Sequence, residues 1–215
     1  MTVRFKDLCA DAADPARVAA FWAELLGMRA APRADGVVAL LRDETPWLWV
    51  NPVPEPKVGK NRVHLDLVVP GREVPGATRL AEFDVFSVFA DPEGNEFCAF
   101  DPRPGAASDS PAALALCVDS ADPVAAAAWW AARTGARTVP GPDGTPRYLE
   151  DVPGLDMTWK FVPVDDPRTA KNRWHWDVTA APADLPGATA LRPPGEDRCW
   201  TVMADPQGNE FCRFG

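Results

Sequence analysis

The sequence predicts an α+β protein made of two tandem copies of one module, each a strand, a helix and then three or more strands. Three blocks that recur in the same order predict it. Asp91-Pro-Glu-Gly-Asn-Glu-Phe-Cys98 returns as Asp205-Pro-Gln-Gly-Asn-Glu-Phe-Cys212, differing only at Glu93 against Gln207. Lys60-Asn-Arg-Val-His-Leu-Asp66 returns as Lys171-Asn-Arg-Trp-His-Trp-Asp177. Asp14-Pro15, followed by Phe21-Trp22 and Gly27, returns as Asp122-Pro123, followed by Trp129-Trp130 and Gly135. A period of about 110 residues is too long for a solenoid or propeller repeat of roughly 20–50. Each copy is therefore a module with its own helix and strands. The expected modules cover residues 1–103 and 111–215, and the turn-rich stretch 101–110 is the expected linker.

The elements follow in order. A short strand is expected over residues 5–10 and again over 113–118. Asp14 then reads as a helix N-cap and Pro15 as the first helical residue. Val18, Phe21, Trp22, Leu25 and Leu26 repeat at helical spacing and make one apolar face, and Gly27 is suited to a left-handed C-terminal stop. Residues 15–26 are thus an amphipathic helix, echoed by 123–134 with alanine filling much of the middle. Trp22, Trp129 and Trp130 are expected in the core. Strand-like runs follow at 36–41, 47–50, 62–69 and 84–90, and each module closes with a strand, at 96–100 and 210–214. The Asp-Pro-x-Gly-Asn block before each closing strand is a turn: proline fixes φ, glycine takes the left-handed conformation, and Asp and Asn bond local backbone.

Composition narrows the partners. The chain has 215 residues, 47% hydrophobic and 25% charged, which is ordinary for a soluble globular protein. The charged start, Met1-Thr-Val-Arg-Phe-Lys-Asp7, does not read as a signal peptide. The longest nearly apolar run, 124–132, falls well short of the roughly 20 residues that span a bilayer. A cytoplasmic protein without a membrane partner is expected. The net charge of −9, with no basic stripe, argues against nucleic acid as a partner. Five cysteines without a CxxC pair argue against a disulfide framework. Cys9 matches Cys117 and Cys98 matches Cys212, and these are expected as small buried residues.

A duplicated βαβββ plan with a D-P-x-G-N turn before the last strand resembles the vicinal oxygen chelate superfamily. That group includes glyoxalase I, bleomycin-resistance proteins and extradiol dioxygenases. The Lys-Asn-Arg-x-His-x-Asp and Gly-Asn-Glu-Phe-Cys blocks look most like its glyoxalase-like domain branch. The resemblance covers nearly the whole chain, one module per half. It implies two tandem βαβββ modules whose curved mixed sheets form a shared cavity for a small-molecule ligand or a metal, in a monomer or a homodimer.

Strand alternation puts Arg62, His64 and Asp66 on one face and Val63 and Leu65 on the other. Arg173, His175 and Asp177 likewise lie opposite Trp174 and Trp176. The apolar faces should pack on the helices and the polar faces line the cavity. The resemblance implies metal ligands on the first strand, on the strand of His64 or His175, and on the closing strand. Asp7, His64 and Glu96 or Cys98 are candidates in one copy. In the other, the first-strand position is Ala115 unless Cys117 serves, beside His175 and Glu210 or Cys212. The pattern is displaced and incomplete, so no metal ligand or cofactor is assigned, and a buried hydrogen-bonded network of His64, Glu96, Arg62 and Asp66 is the plainer expectation.

Trp47 and Trp49 are expected to share a strand face that carries Thr158 and Lys160 in the second copy. Two indoles beside a cavity suit a flat or cationic ligand. The leading expectation is metal-independent binding of a small aromatic or amphipathic molecule by Trp47, Trp49, His64, Glu96, His175 and Glu210. The alternative is a metal-dependent lyase, isomerase or dioxygenase acting on vicinal oxygens, with Glu96 or Glu210 as base. A third is a structural or regulatory module with an unused cavity.

Overall fold

The structure is a computed structural model that describes residues 3–103, 110–196 and 198–215. The first copy runs β1 (Arg4–Ala12), α1 (Pro15–Leu26), β2 (Arg29–Pro32), β3 (Val38–Arg42), β4 (Thr45–Pro52), β5 (Val63–Val68), β6 (Thr78–Glu82), β7 (Phe86–Ala90) and β8 (Glu96–Phe100). The second runs β9 (Ala112–Ser120), α2 (Pro123–Thr134), β10 (Arg137–Pro140), β11 (Pro146–Glu150), β12 (Thr158–Pro163), β13 (Trp174–Thr179), β14 (Thr189–Arg192), β15 (Thr201–Ala204) and β16 (Glu210–Phe214). Residues 104–109 of the expected linker lie outside the described residues. Each copy holds the strand–helix–three-strand unit and then repeats the strand order, with a 3-10 turn (Pro70–Arg72, Pro182–Asp184) in place of the helix. Among the described residues no helix is long and apolar enough to cross a membrane.

The helix ends form as their residues dictate. The Asp14 carboxylate accepts from the Arg17 amide at 3.1 Å, and that of Asp122 from Ala125 at 2.9 Å. Gly27 and Gly135 end the helices at φ 63° and 74°, a left-handed conformation that glycine adopts without a Cβ penalty.

The strands pair across the copies. One sheet runs β14-β15-β16-β13-β1-β4-β3-β2 and the other β10-β11-β12-β9-β5-β8-β7-β6. Each sheet thus joins the first half of one copy to the second half of the other. The seams are antiparallel: β1 against β13, and β5 against β9.

The helix-side faces of both sheets share one apolar core. It takes in Val18, Phe21 and Trp22 of α1, Ala126 and Trp130 of α2, Leu8 and Leu48, Val63 and Leu65, and Trp174 and Trp176. The alanines of α2 leave space that the strands beneath it fill: Trp159, Trp176 and Phe211 ring Trp130 at centroid distances of 4.8, 5.5 and 5.1 Å. Filling space at interior density is what such cores require. The repeated turn anchors the helix tryptophans. Trp22 donates its indole N–H to Asp91 at 3.2 Å, and Trp130 to Asp205 at 3.2 Å. Each carboxylate also accepts from turn amides, those of Glu93 and Asn95 at 2.9 Å in the first copy.

Candidate functional site

The side chains that turn away from the helices define two open faces, one per sheet. Cys9, Asp66, Cys117 and Asp177 on these faces are nonetheless buried.

At the middle of each face a row of directly opposed residues crosses four strands. In one sheet the row is Ala39 (β3), Trp49 (β4), Cys9 (β1) and His175 (β13). In the other it is Tyr148 (β11), Lys160 (β12), Cys117 (β9) and His64 (β5). Each Cys–His contact crosses a seam, so each row draws on both copies. One step along lie Asp177 beside Cys212, and Asp66 beside Cys98. The rows agree at Cys and His. They differ at the position next to the cysteine, Trp49 in one and Lys160 in the other, and at the outer position, Ala39 against Tyr148.

The β5/β9 face is centred on a charge pair. The Lys160 ammonium donates to Asp66 Oδ2 at 2.7 Å and lies 5.5 and 5.6 Å from the ring centroids of Tyr148 and Phe100. Burial by itself would lower the lysine pKa, but the Asp66 carboxylate outweighs it and the pKa stands above its ordinary value. The His64 imidazole sits 3.8 Å from Asp66. Burial depresses its pKa, which favours the neutral ring. Burial also raises the thiol of Cys98 to about 12 and that of Cys117 well above its ordinary value.

On the β1/β13 face no described ammonium bonds the matching Asp177 oxygen Oδ1. Asp177 is buried, its pKa raised by burial. Its oxygen Oδ1 has no hydrogen-bond partner, while the thiols of Cys9 and Cys212 are held in protonated form by burial and by this carboxylate. Trp49 is half-buried, packs on Ala31, Ala39 and Leu41 and donates to Asp7 Oδ2 at 3.1 Å. Asp7 also pairs with Lys6, whose ammonium lies 4.7 Å from the Phe214 centroid. Phe214 in turn stacks on Trp200. The polar centre is therefore flanked by aromatic surface on both sides.

The anticipated residues do not all gather here. His64, His175 and Trp49 stand in the rows. Trp47 does not share a face with Trp49: Leu40 pairs with Leu48 but Leu41 with Pro46. Trp47 is the extra residue of this β-bulge, which breaks strand alternation. It packs on the main core, under the Arg42 guanidinium at 4.9 Å. Glu96 and Glu210 face the repeated Lys-Asn-Arg segments. Glu96 accepts from the Asn61 amide and from Lys57, both at 3.1 Å. Glu210 accepts from the Asn172 amide at 3.2 Å and pairs with Arg168. Nor does Arg62 join His64; it binds Asp166, at 3.1 and 2.5 Å. Cys117, a candidate beside His175, instead stands beside His64 of the other copy, and its match Cys9 stands beside His175, because the first strand of each copy pairs across the seam.

Among the described residues two donor groups could hold a metal ion: Cys9, His175 and Asp177 on one face, and His64, Asp66 and Cys117 on the other. The first set fits a borderline-soft divalent ion, since it offers sulfur, imidazole and carboxylate and has an unpartnered carboxylate oxygen. The second does not, because the Lys160 ammonium already satisfies Asp66.

A family model for the glyoxalase-like domain matches residues 7–100 and 115–214. Glyoxalase I from Zea mays has a similar fold, with a TM-score of 0.63 at 13% identity over 99% of this chain and 92% of that one. A putative dioxygenase from Bacillus subtilis gives a TM-score of 0.62 at 15% identity, over 99% of this chain and 84% of that one. The cppA protein from Streptococcus pneumoniae gives 0.52 at 11%, over 98% of both chains. Among curated proteins none has a sequence that matches significantly.

Proposed function

This chain belongs to the glyoxalase-like domain family, and from that premise we propose that the open face of the β1/β13 sheet binds a small aromatic or amphipathic molecule. The observation that carries the reading is the row Ala39–Trp49–Cys9–His175. A half-buried indole stands over a floor of small apolar side chains, directly across from a cysteine and a histidine. A flat apolar ring stacks on Trp49, and its polar end lies toward the His175 imidazole. The Trp200–Phe214 stack lies on the far side of the polar centre and limits the ligand's length. Specificity comes from differences between the copies, because the Cys–His pair is common to both faces.

The test is a screen of planar aromatic compounds for quenching of tryptophan fluorescence, repeated on Trp49→Ala. Loss of quenching in a variant with an unchanged circular dichroism spectrum supports the reading. Undiminished quenching in that variant sinks it.

A second reading is favoured by the unpartnered Asp177 Oδ1. Cys9, His175 and Asp177 would hold a divalent ion, which when bound would polarise a substrate oxygen as a Lewis acid. Metal content after incubation with Zn²⁺, compared between the wild type and His175→Ala, decides it. A near-stoichiometric ion that the variant loses supports this reading, and equal low content in both removes it.

A further inference from the structure

The twice-repeated Lys-Asn-Arg has no part in either open face. Its two copies wall a cavity of about 290 Å³, formed by residues 58–62 and 166–173. Lys60 and Arg62 enter from one copy, Lys171 and Arg173 from the other, and Arg168 joins them; Asp166 is the one carboxylate in the wall. Four of these cations reach acids set deeper in the fold: Lys60 binds Asp119 at 2.6 Å, which Arg62 also approaches at 3.5 Å, Lys171 binds Asp11 at 2.8 Å, and Arg173 binds Glu93 at 3.0 Å. Arg168 pairs with Glu210. Two further carboxylates are well exposed. Asp166, its side chain 62% exposed, grips the Arg62 fork with both oxygens. Glu55, 46% exposed, lies 2.5 Å from the Lys171 ammonium.

Asp166 lies in the cavity wall and Glu55 sits outside it on Lys171, and each holds a cation that an incoming oxyanion would take over. Each ammonium has three donors, and both lysines are about half-exposed, at 51% and 46%. Buried Arg173 keeps its Nε without an acceptor. A guanidinium fork matches phosphate and carboxylate geometry. The volume lies at the small end of ligand pockets, which run about 300–1,000 Å³. With Lys60 and Arg62 from one copy and Arg168, Lys171 and Arg173 from the other, the wall suits a ligand carrying two negative charges. We propose that this cavity binds a small doubly charged oxyanion, a phosphate or a phosphate monoester, which displaces Asp166 from Arg62 and Glu55 from Lys171. This site is independent of the aromatic-binding face around Trp49.

The experiment titrates the full chain with inorganic phosphate and with glycerol 3-phosphate, against potassium chloride of equal ionic strength, while amide resonances are recorded. Saturable shifts concentrated at Gly59, Thr169 and Ala170 are expected with phosphate or the ester and not with chloride, and the tighter of the two identifies the source. Lys60→Gln combined with Lys171→Gln should weaken that binding about tenfold or more, because charge-assisted hydrogen bonds are the strong ones. The proposal is overturned if the wild type gives no saturable shifts there, if chloride reproduces them, or if a folded double variant binds phosphate as tightly. Should the double variant fail to fold, the wild-type resonances alone decide.

Discussion

Trp49 and Lys160 occupy matching positions in the two sheets, each directly opposite a cysteine whose other neighbour is a histidine. Trp49 faces Cys9 and, beyond it, His175; Lys160 faces Cys117 and, beyond it, His64. The duplication kept the Cys–His seam and exchanged an apolar plate for a cation. In one sheet a lysine satisfies the central aspartate at 2.7 Å. In the other the aspartate keeps an unpartnered oxygen. Two faces of common descent therefore present different chemistry.

Lys160→Met should destabilise the fold without touching the Trp49 face. Asp66 would remain buried beside His64 with its cation gone, which costs on the order of 2–3 kcal/mol once the partial exposure of Lys160 is allowed for. Urea unfolding measures it, and a loss below about 0.5 kcal/mol, the scale of an ordinary surface change, would show the pair to be dispensable.

Asp177 predicts a pH signature. Burial raises its folded-state pKa above the ordinary value. The stability this group contributes is present below the unfolded-state pKa, about 3.9, and is lost as pH rises through the folded value. Asp177→Asn removes the titration. Its stability relative to the wild type should therefore climb from pH 4 to pH 7, whatever its offset at pH 4. A flat difference over that range contradicts the assignment.

The opposite sign holds for His64, whose pKa is depressed by burial. Its contribution is present above the unfolded value near 6.5 and lost as pH falls through the folded one. His64→Gln should lessen the fall in stability between pH 6.5 and pH 5, followed by thermal unfolding across that window.

Glu93 against Gln207 is the single difference between the two turn blocks, and the structure gives it a consequence. Glu93 accepts from Arg173 at 3.0 Å and from the Ala13 amide at 2.9 Å. Gln207 has no charge to offer, and Arg62 turns to Asp166 instead. Glu93→Gln should cost about 2–3 kcal/mol, because it leaves the buried Arg173 guanidinium without this carboxylate, with neutral acceptors such as the Glu55 carbonyl in its place. Denaturant midpoints of this variant and of Gln207→Glu, which should be neutral or stabilising, measure the asymmetry.

Thiol labelling should single out one cysteine. Cys9, Cys117 and Cys212 are buried, Cys98 is raised to about 12, and Cys199 is exposed. Alkylation needs the thiolate, so iodoacetamide at pH 8 should modify Cys199 in the folded chain and the others only on unfolding. Peptide mass spectrometry reads the sites.

Local features were legible in the sequence where the chain signals locally. The Asp14 and Asp122 caps, the glycine stops and the closing strands Glu96–Phe100 and Glu210–Phe214 follow from residue types and spacing. The strands Arg29–Pro32 and Thr78–Glu82 were not legible: they are short and mostly exposed, so no apolar alternation marks them. The exchange of strands between copies was equally hidden, since identical motifs do not say which copy a strand pairs with. At the candidate site, alternation placed His64 and His175 on the polar faces. It failed at Trp47, where one extra residue in the pairing turns the indole to the core. Glu96 and Glu210 were drawn away by the amides of Asn61 and Asn172, partners that lie far off in sequence.

The chain has two histidines, one on each open face, and this permits a direct test of the central claim. Titration with the amphipathic aromatic dye 1-anilinonaphthalene-8-sulfonate, followed through the two imidazole resonances, reads the faces separately. Saturable movement of the His175 signals with His64 unmoved, abolished by Trp49→Ala, is the predicted result. Saturable dye binding that leaves His175 unmoved, or that persists unchanged in Trp49→Ala, would contradict it.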